Sequence, residues 1–226
     1  MTNQLLKINN LFKEYSINKN NTRILNNVNF SLMPGEIISI TGPSGSGKST
    51  FLNILGLLDS DYNGDYKFLN ENVSKFKSNK KNIIRNKSIG FVHQFFHLIP
   101  ELNVIENVSL PNLILKNNYK SSYLEAKNII IEFGLEKRLY SKPSELSGGE
   151  QQRIAIARAL INKPQFIIAD EITGNLDEKT SNSVFDFFLD TIRLNKQSLV
   201  YVTHDIKYAK RADKVYEISN QNLIQV

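Results

Sequence analysis

Residues 42–49 read GPSGSGKS; the apolar run EIISIT precedes them, and STFLNILGLL, with its apolar residues at helical spacing, overlaps their end. A glycine-rich turn between a buried strand and a helix leaves few folds open. Glycines let successive backbone N–H groups curl around an anion without Cβ clashes, and the helix N-terminus behind them favours negative charge. The spacing G-x-x-x-x-G-K-[ST] adds an ammonium for the β- and γ-phosphates of a nucleotide and a hydroxyl for a divalent cation. Those positions are Gly42, Gly47, Lys48 and Ser49, and Pro43, Ser44, Gly45, Ser46 and Thr50 complete the loop. A bare glycine-rich turn is the alternative, and the strand–turn–helix setting weighs against it.

The same alternation of strand and helix recurs along the chain. QFIIADE (165–171) and SLVYVTHD (198–205) are β-branched runs that end in polar residues. Between them SNSVFDFFLDTIRL places Val184, Phe187, Phe188 and Ile192 on one helical face, and SYLEAKNIIIEFGL (122–135) is a second amphipathic helix stopped by Gly134. Strands alternating with helices predict an α/β fold with a mainly parallel sheet, whose ligands bind beyond the carboxyl ends of the strands. The first 35 residues alternate with period two, Val28, Phe30 and Leu32 facing one way, which predicts a small antiparallel sheet.

Composition removes several function classes. The 226 residues contain no cysteine, so neither disulfides nor thiolate metal sites are available. No apolar run approaches the ~20 residues that span a bilayer. The opening MTNQLLKINNLFKEY has neither the long apolar segment nor the small-residue cleavage site of a signal peptide. The net charge of +6 comes from lysines scattered among asparagines and isoleucines, as in KSNKKNIIRNK. A+T-rich codons encode those residue types, so no nucleic-acid partner is expected.

A nucleotide also needs metal ligation and a route for attacking water. FIIADE ends on Asp170 and Glu171, of which the first would join the Mg²⁺ shell and the second would polarise water. Taken alone, such a pair is often merely solvated. His204 ends VYVTH, and Gln94 in GFVHQFF follows a short apolar segment; they are candidates for the γ-phosphate and for the metal or water. LSGGEQQR (146–153) leads into IAIARALI. Its two glycines are poor helix starters, each costing about 1 kcal/mol against alanine. On its own the stretch is a serine-capped turn.

In this order, GPSGSGKS, Gln94, LSGGEQQR, FIIADE, the NLD of 175–177 and His204 resemble the ATP-binding-cassette family, and LSGGE resembles that family's signature. The resemblance spans nearly the whole chain. It implies a P-loop NTPase cassette: one domain over 1–226, with a core of about 1–94 and 161–226 and an inserted α-helical subdomain of about 95–160. It also implies ATP and Mg²⁺ as cofactors, with Ser49, Gln94 and Asp170 around the metal, Glu171, Gln94 and His204 in catalysis, and Asp177 near the nucleotide. Tyr15 in FKEY matches the aromatic position that stacks on adenine. Family members pair head to tail, so Ser147, Gly148 and Gly149 of one subunit would meet the γ-phosphate held by the other. One position departs from the pattern: DEITGNLD has Ile172 where the family usually has proline, which frees φ, restores a backbone donor and predicts slower hydrolysis.

HQFFHLIPELNVIENVSLP is similar to the subgroup serving lipoprotein release, macrolide export and cell division; His97, Leu98, Pro100 and the triplet Glu106, Asn107 and Val108 resemble its lipoprotein-releasing branch. That resemblance implies a peripheral homodimer on the cytoplasmic face of a bacterial inner membrane, coupled to separate integral membrane subunits. Phe95, Phe96, Leu98 and Ile99 would meet that partner or fill a seam. A cell-division, macrolide-export or non-transport cassette is the alternative. DNA-repair and chromosome cassettes usually carry coiled coils or zinc modules, and this chain has neither heptads nor cysteines.

Overall fold

The computed structural model describes residues 4–17 and 20–226; the first three residues, part of the segment read for a leader, lie outside them. The chain divides into two compact units, residues 1–82 with 196–226, and residues 83–195. In chain order come β1 (Leu6–Ile17), β2 (Asn20–Leu32), β3 (Ile37–Thr41), α1 (Lys48–Leu55), β4 (Asn63–Phe68), the short β5 (Glu71–Asn72) and the exposed helix α2 (Ser78–Ser88). Next are β6 (Ile89–Val92), α3 (Val104–Lys116), α4 (Tyr119–Glu132), α5 (Gly148–Leu160), β7 (Phe166–Asp170) and α6 (Glu178–Leu194). The chain ends with β8 (Ser198–Val202), α7 (Ile206–Ala209), β9 (Lys214–Ser219) and β10 (Asn222–Gln225).

In the first unit β2, β1, β4 and β5 form the antiparallel sheet expected near the N-terminus, with Leu6 opposite both Leu32 and Phe68. Val28, Phe30 and Leu32 are all buried, as period-two patterning requires. β3 runs parallel to β8 and β9, and β10 closes antiparallel on β9. Four of five residues of β3 and all of β8 are buried, the near-continuous apolar reading of parallel strands covered on both faces. Phe30 joins the layers: its ring meets Phe51 of α1 and Tyr216 of β9 edge-on, each at 5.4 Å between centroids. Burying a phenylalanine contributes about 1.5–3 kcal/mol, so this cluster fixes the helix behind the glycine loop.

In the second unit β6 lies parallel to β7, Ile89 opposite Phe166 and Val92 opposite Ala169. The core strands are thus mainly parallel, and the fold is α/β as expected. α4 ends as predicted, Gly134 taking a left-handed φ of 70° while Leu135 N–H donates to Ile130 O at 3.0 Å. α6 departs from the expected face. Val184, Phe188 and Ile192 are buried together with Phe185 and Leu189, but Phe187 is only half-buried. Phe187 instead packs edge-on against Phe133 at 4.7 Å and carries the Arg153 guanidinium over its ring. The three phenylalanines of VFDFF, Phe185, Phe187 and Phe188, satisfy two overlapping helical stripes, and partners on α5 and just beyond α4 decide which one is buried.

Candidate nucleotide site

The first unit brings the glycine loop and His204 to one edge. Ile40 pairs with Val202, so the loop leaving β3 and the segment leaving β8 emerge side by side, and Thr203 N–H donates to Ile40 O at 3.3 Å. Gly42, Gly45 and Gly47 have φ of 140°, 76° and 103°. A Cβ on Gly42 would lie 2.4 Å from Ile218 O, and one on Gly47 2.8 Å from Ile24 Cγ2, so neither position admits a side chain. Gly47 caps α1 without a side-chain acceptor, which leaves the first N–H groups of the helix for an incoming anion. Lys48 is buried and arches back, its Nζ donating to Gly42 O at 2.9 Å and Pro43 O at 2.8 Å. Ser46 Oγ is buried without a hydrogen-bond partner, a cost that a phosphate oxygen would relieve. Pro43, Ser44, Gly45 and Ser49 are exposed, and Thr50 is half-buried on α1. His204 is exposed between Thr203, which accepts from Asp205 N–H, and the Asp205 cap of α7. Tyr15 is 40% exposed on β1.

The second unit brings Gln94 to the Asp170–Glu171 turn. β6 and β7 end at the same edge, and Gln94 O accepts from Asn175 Nδ2 at 3.0 Å. A Cβ on Gly174 would stand 2.7 Å from Gln94 Nε2, so glycine is what lets the amide lie against this turn. Glu171 has a left-handed φ of 45°, a conformation that costs a non-glycine residue of order 1 kcal/mol and that clusters at functional sites. Gly174 N–H donates to Glu171 O at 3.0 Å and closes the turn. Ile172, in the place of the usual proline, is 4% exposed. Its burial contributes about 1.5–3 kcal/mol, more than the ~1 kcal/mol a fitted proline gains through chain entropy. The turn is therefore held by the packing of Ile172 where proline would have contributed a fixed φ.

Ser147 caps α5 reciprocally: its Oγ accepts from Glu150 N–H at 3.3 Å, and Glu150 Oε2 accepts from Ser147 N–H at 2.8 Å. The Ser147 N–H, followed by Arg138 at 2.8 Å, holds the Glu150 carboxyl below its usual range. The glycines have a second reason to exist that the sequence did not disclose. A Cβ on Gly148 would stand 2.8 Å from Leu176 Cδ2 and one on Gly149 2.7 Å from Thr180 Cγ2. They let α5 press on the loop after Glu171 and on α6. Gly149→Ala is accordingly expected to destabilise the protein by about 1–3 kcal/mol, read as a lowered thermal midpoint. An unchanged midpoint would refute the close-packing role. Asp177 caps α6 by accepting from Thr180 N–H at 3.1 Å, and the Thr180 hydroxyl and N–H hold its carboxyl low.

Two residues that the sequence did not single out organise the segment after Gln94. Arg158 donates to Phe96 O at 2.8 Å and His97 O at 2.6 Å. His93 stacks on Phe91 and meets the His97 ring at a tilt, and burial, then His97, pushes its imidazole below the usual value, which keeps it neutral at pH 7. An arginine in the otherwise apolar IAIARALI was the signal available for Arg158. Phe95 is 64% exposed, whereas Phe96, Leu98 and Ile99 are half-buried; Ile99 N–H donates to the Oδ1 of buried Asn107 at 2.8 Å, and Asn107 Nδ2 donates to Ile99 O at 3.1 Å.

No group of three or more His, Cys, Asp or Glu side chains that could hold a metal exists among the described residues. Ser49 in the first unit, and Gln94 and Asp170 in the second, each carry a hard oxygen donor, the donor type that Mg²⁺ takes.

Comparisons with known proteins agree with these motifs. The ABC transporter family profile matches residues 25–174. The chain is 45% identical over 220 residues to the lipoprotein-releasing system ATP-binding protein LolD of Rickettsia bellii, covering 97% of each. It is likewise 45% identical to LolD of Wigglesworthia glossinidia brevipalpis, over 97% of this chain and 96% of that protein. Among solved structures, the dimeric bacterial ABC transporter cassette MJ0796 superposes with a TM-score of 0.87 at 37% identity, over 96% of each chain. The post-hydrolysis dimer of the same cassette, bound to ADP and Pi, also reaches 0.87, at 36% identity and the same coverage. With two thirds of its length inside the family profile and near-complete alignment to these relatives, the chain belongs to the ABC transporter family of ATP-binding cassettes.

Proposed function

We propose that this ATPase powers the release of lipoproteins from a bacterial inner membrane, working as a homodimer docked on separate membrane subunits at the cytoplasmic face. The observation that carries the reading is the 45% identity, over 97% of both chains, to a lipoprotein-releasing system ATP-binding protein. No helix among the described residues is long and apolar enough to cross a membrane, so force passes to the bilayer through protein contacts.

In the hydrolytic step the loop Gly42–Thr50 wraps the phosphates, Lys48 neutralises their charge, and Tyr15 stacks on the adenine. Ser49, Asp170 and Gln94 would hold Mg²⁺, which would supply charge neutralisation at the phosphates. Glu171 takes the proton from the attacking water as its oxygen bonds to the γ-phosphorus, and ADP leaves. His204 and Gln94 orient the γ-phosphate and the water. Ser147, Gly148 and Gly149 of the second copy complete the site, so that ATP closes the dimer and hydrolysis reopens it. Asp177 acts near the nucleotide by capping α6. The core, about 1–94 and 161–226, carries the nucleotide, and the helical subdomain, about 95–160, receives the membrane partner.

Phe95 is the residue on which docking is best tested, because its side chain is mostly exposed. Phe95→Asp is expected to leave the isolated protein's ATPase within about twofold, since exposed substitutions shift stability by under ~0.5 kcal/mol. It should abolish stimulation by the membrane partner and ATP-driven extraction of lipoproteins from membrane vesicles. Leu98 and Ile99 are half-buried, so aspartates there would also disturb packing and are the poorer probe. Co-purification with a cell-wall hydrolase regulator or a drug-exporting subunit would replace the lipoprotein assignment by another of the same subgroup.

A further inference from the structure

Lys13 is the most deeply buried ammonium in the first unit's antiparallel sheet, 2% exposed. Its Nζ reaches Asp59 Oδ2 at 2.9 Å, Asp61 O at 2.5 Å and Asp61 Oδ2 at 3.2 Å. The ion pairs offset its burial and raise its pKa, so it stays charged. Both aspartates sit just beyond the C-terminal end of α1, whose first residue is Lys48. The same Nζ lies 4.6 Å from the centroid of the Tyr15 ring, two residues further along β1, and Tyr15 remains 40% exposed. One buried cation thus ties the exit of the phosphate-loop helix to the strand carrying the exposed aromatic ring.

We propose that Lys13 is a positioning residue for the nucleotide base: it pins Tyr15 from one side and fixes the ring at a set distance from the phosphate loop. The inference rests on the reading that Tyr15 stacks on adenine. A cation against one face of a ring draws π-density toward itself and leaves the opposite face better suited to an electron-rich purine. The Asp59 and Asp61 contacts keep the ammonium from following the ring into solvent. The ring is therefore preorganised, and less order has to be imposed when the base binds.

The test compares the affinity of the intact protein for ATP with that for inorganic tripolyphosphate, both with Mg²⁺, since only ATP carries a base. Lys13→Met should weaken ATP binding about fivefold, raising KM with kcat unchanged, and leave tripolyphosphate binding as it was. Because Lys13→Met strands a carboxylate beside a buried site, Asp59→Asn provides a second variant, expected to shift the same ratio in the same direction by a smaller factor. In a Tyr15→Ala background, adding Lys13→Met should change the ratio no further. An ATP-to-tripolyphosphate ratio untouched in both Lys13→Met and Asp59→Asn overturns the proposal. So does a Lys13→Met effect that persists without the Tyr15 ring. If Tyr15→Ala itself leaves the ratio unchanged, the stacking reading fails first and Lys13 loses its role with it.

Discussion

In Glu171→Gln, steady-state ATP hydrolysis falls by a factor of about 10²–10⁴, the usual contribution of a positioned general base. ATP binding is retained, because the amide preserves the shape of the side chain and the phosphates are held elsewhere. The backbone at Glu171 is left-handed, with φ of 45°, and the turn behind it is closed by the Gly174–Glu171 hydrogen bond. Neither depends on the carboxylate, so the substitution does not disturb the fold. With hydrolysis stopped and binding intact, the protein accumulates in its ATP-bound form. Turnover near wild type in this variant would remove Glu171 from the base role and leave the strained turn without a function.

Lys48→Ala acts on the other half of the reaction. The lysine meets phosphate charge in the ground state as well as the transition state, so its loss appears first in binding. A hydrogen bond to a charged group contributes about 1.5–3 kcal/mol, which corresponds to a 10- to 150-fold weaker ATP affinity by calorimetric titration. The loop pays a further local cost, because Gly42 O and Pro43 O both accept from Nζ. Lys48→Arg should not rescue the variant, since a planar fork cannot replace a compact ammonium at 6% exposure. Unchanged affinity in Lys48→Ala would contradict the phosphate-binding reading of the loop.

The glycine loop was legible in the sequence because its chemistry is backbone chemistry. Positive φ at Gly42, Gly45 and Gly47 is a demand that residue type reveals directly. The place of Asp170 and Glu171 at the end of β7 was legible because strand ends are marked by the change from apolar to acidic residues. The signature glycines were only half legible. Their resemblance to a family signature pointed outward, to a phosphate on a second copy, while the 2.8 and 2.7 Å approaches of Leu176 and Thr180 point inward. Contacts between segments about 30 residues apart leave no mark in local patterning. The same reason hid Arg158, which holds carbonyls more than 60 residues away, and misassigned Phe187, whose face depends on Phe133 and Arg153. Ile172 showed only as a departure from the family pattern; its burial against the turn required the fold.

These inward contacts determine how the trans site has to be tested. A bulky residue at Gly149 collides within its own chain, so Ser147 is the position to alter: it is exposed, and losing its cap costs about 1 kcal/mol. The decisive measurement is the molar mass in solution, by light scattering, of the Glu171→Gln protein with ATP and Mg²⁺. The mass is expected to double from that of the 25.8 kDa chain when ATP is added, and not to double when Ser147→Arg is combined with Glu171→Gln. A mass that doubles equally well with Ser147→Arg would contradict a site completed by a second copy and leave the glycines as packing alone.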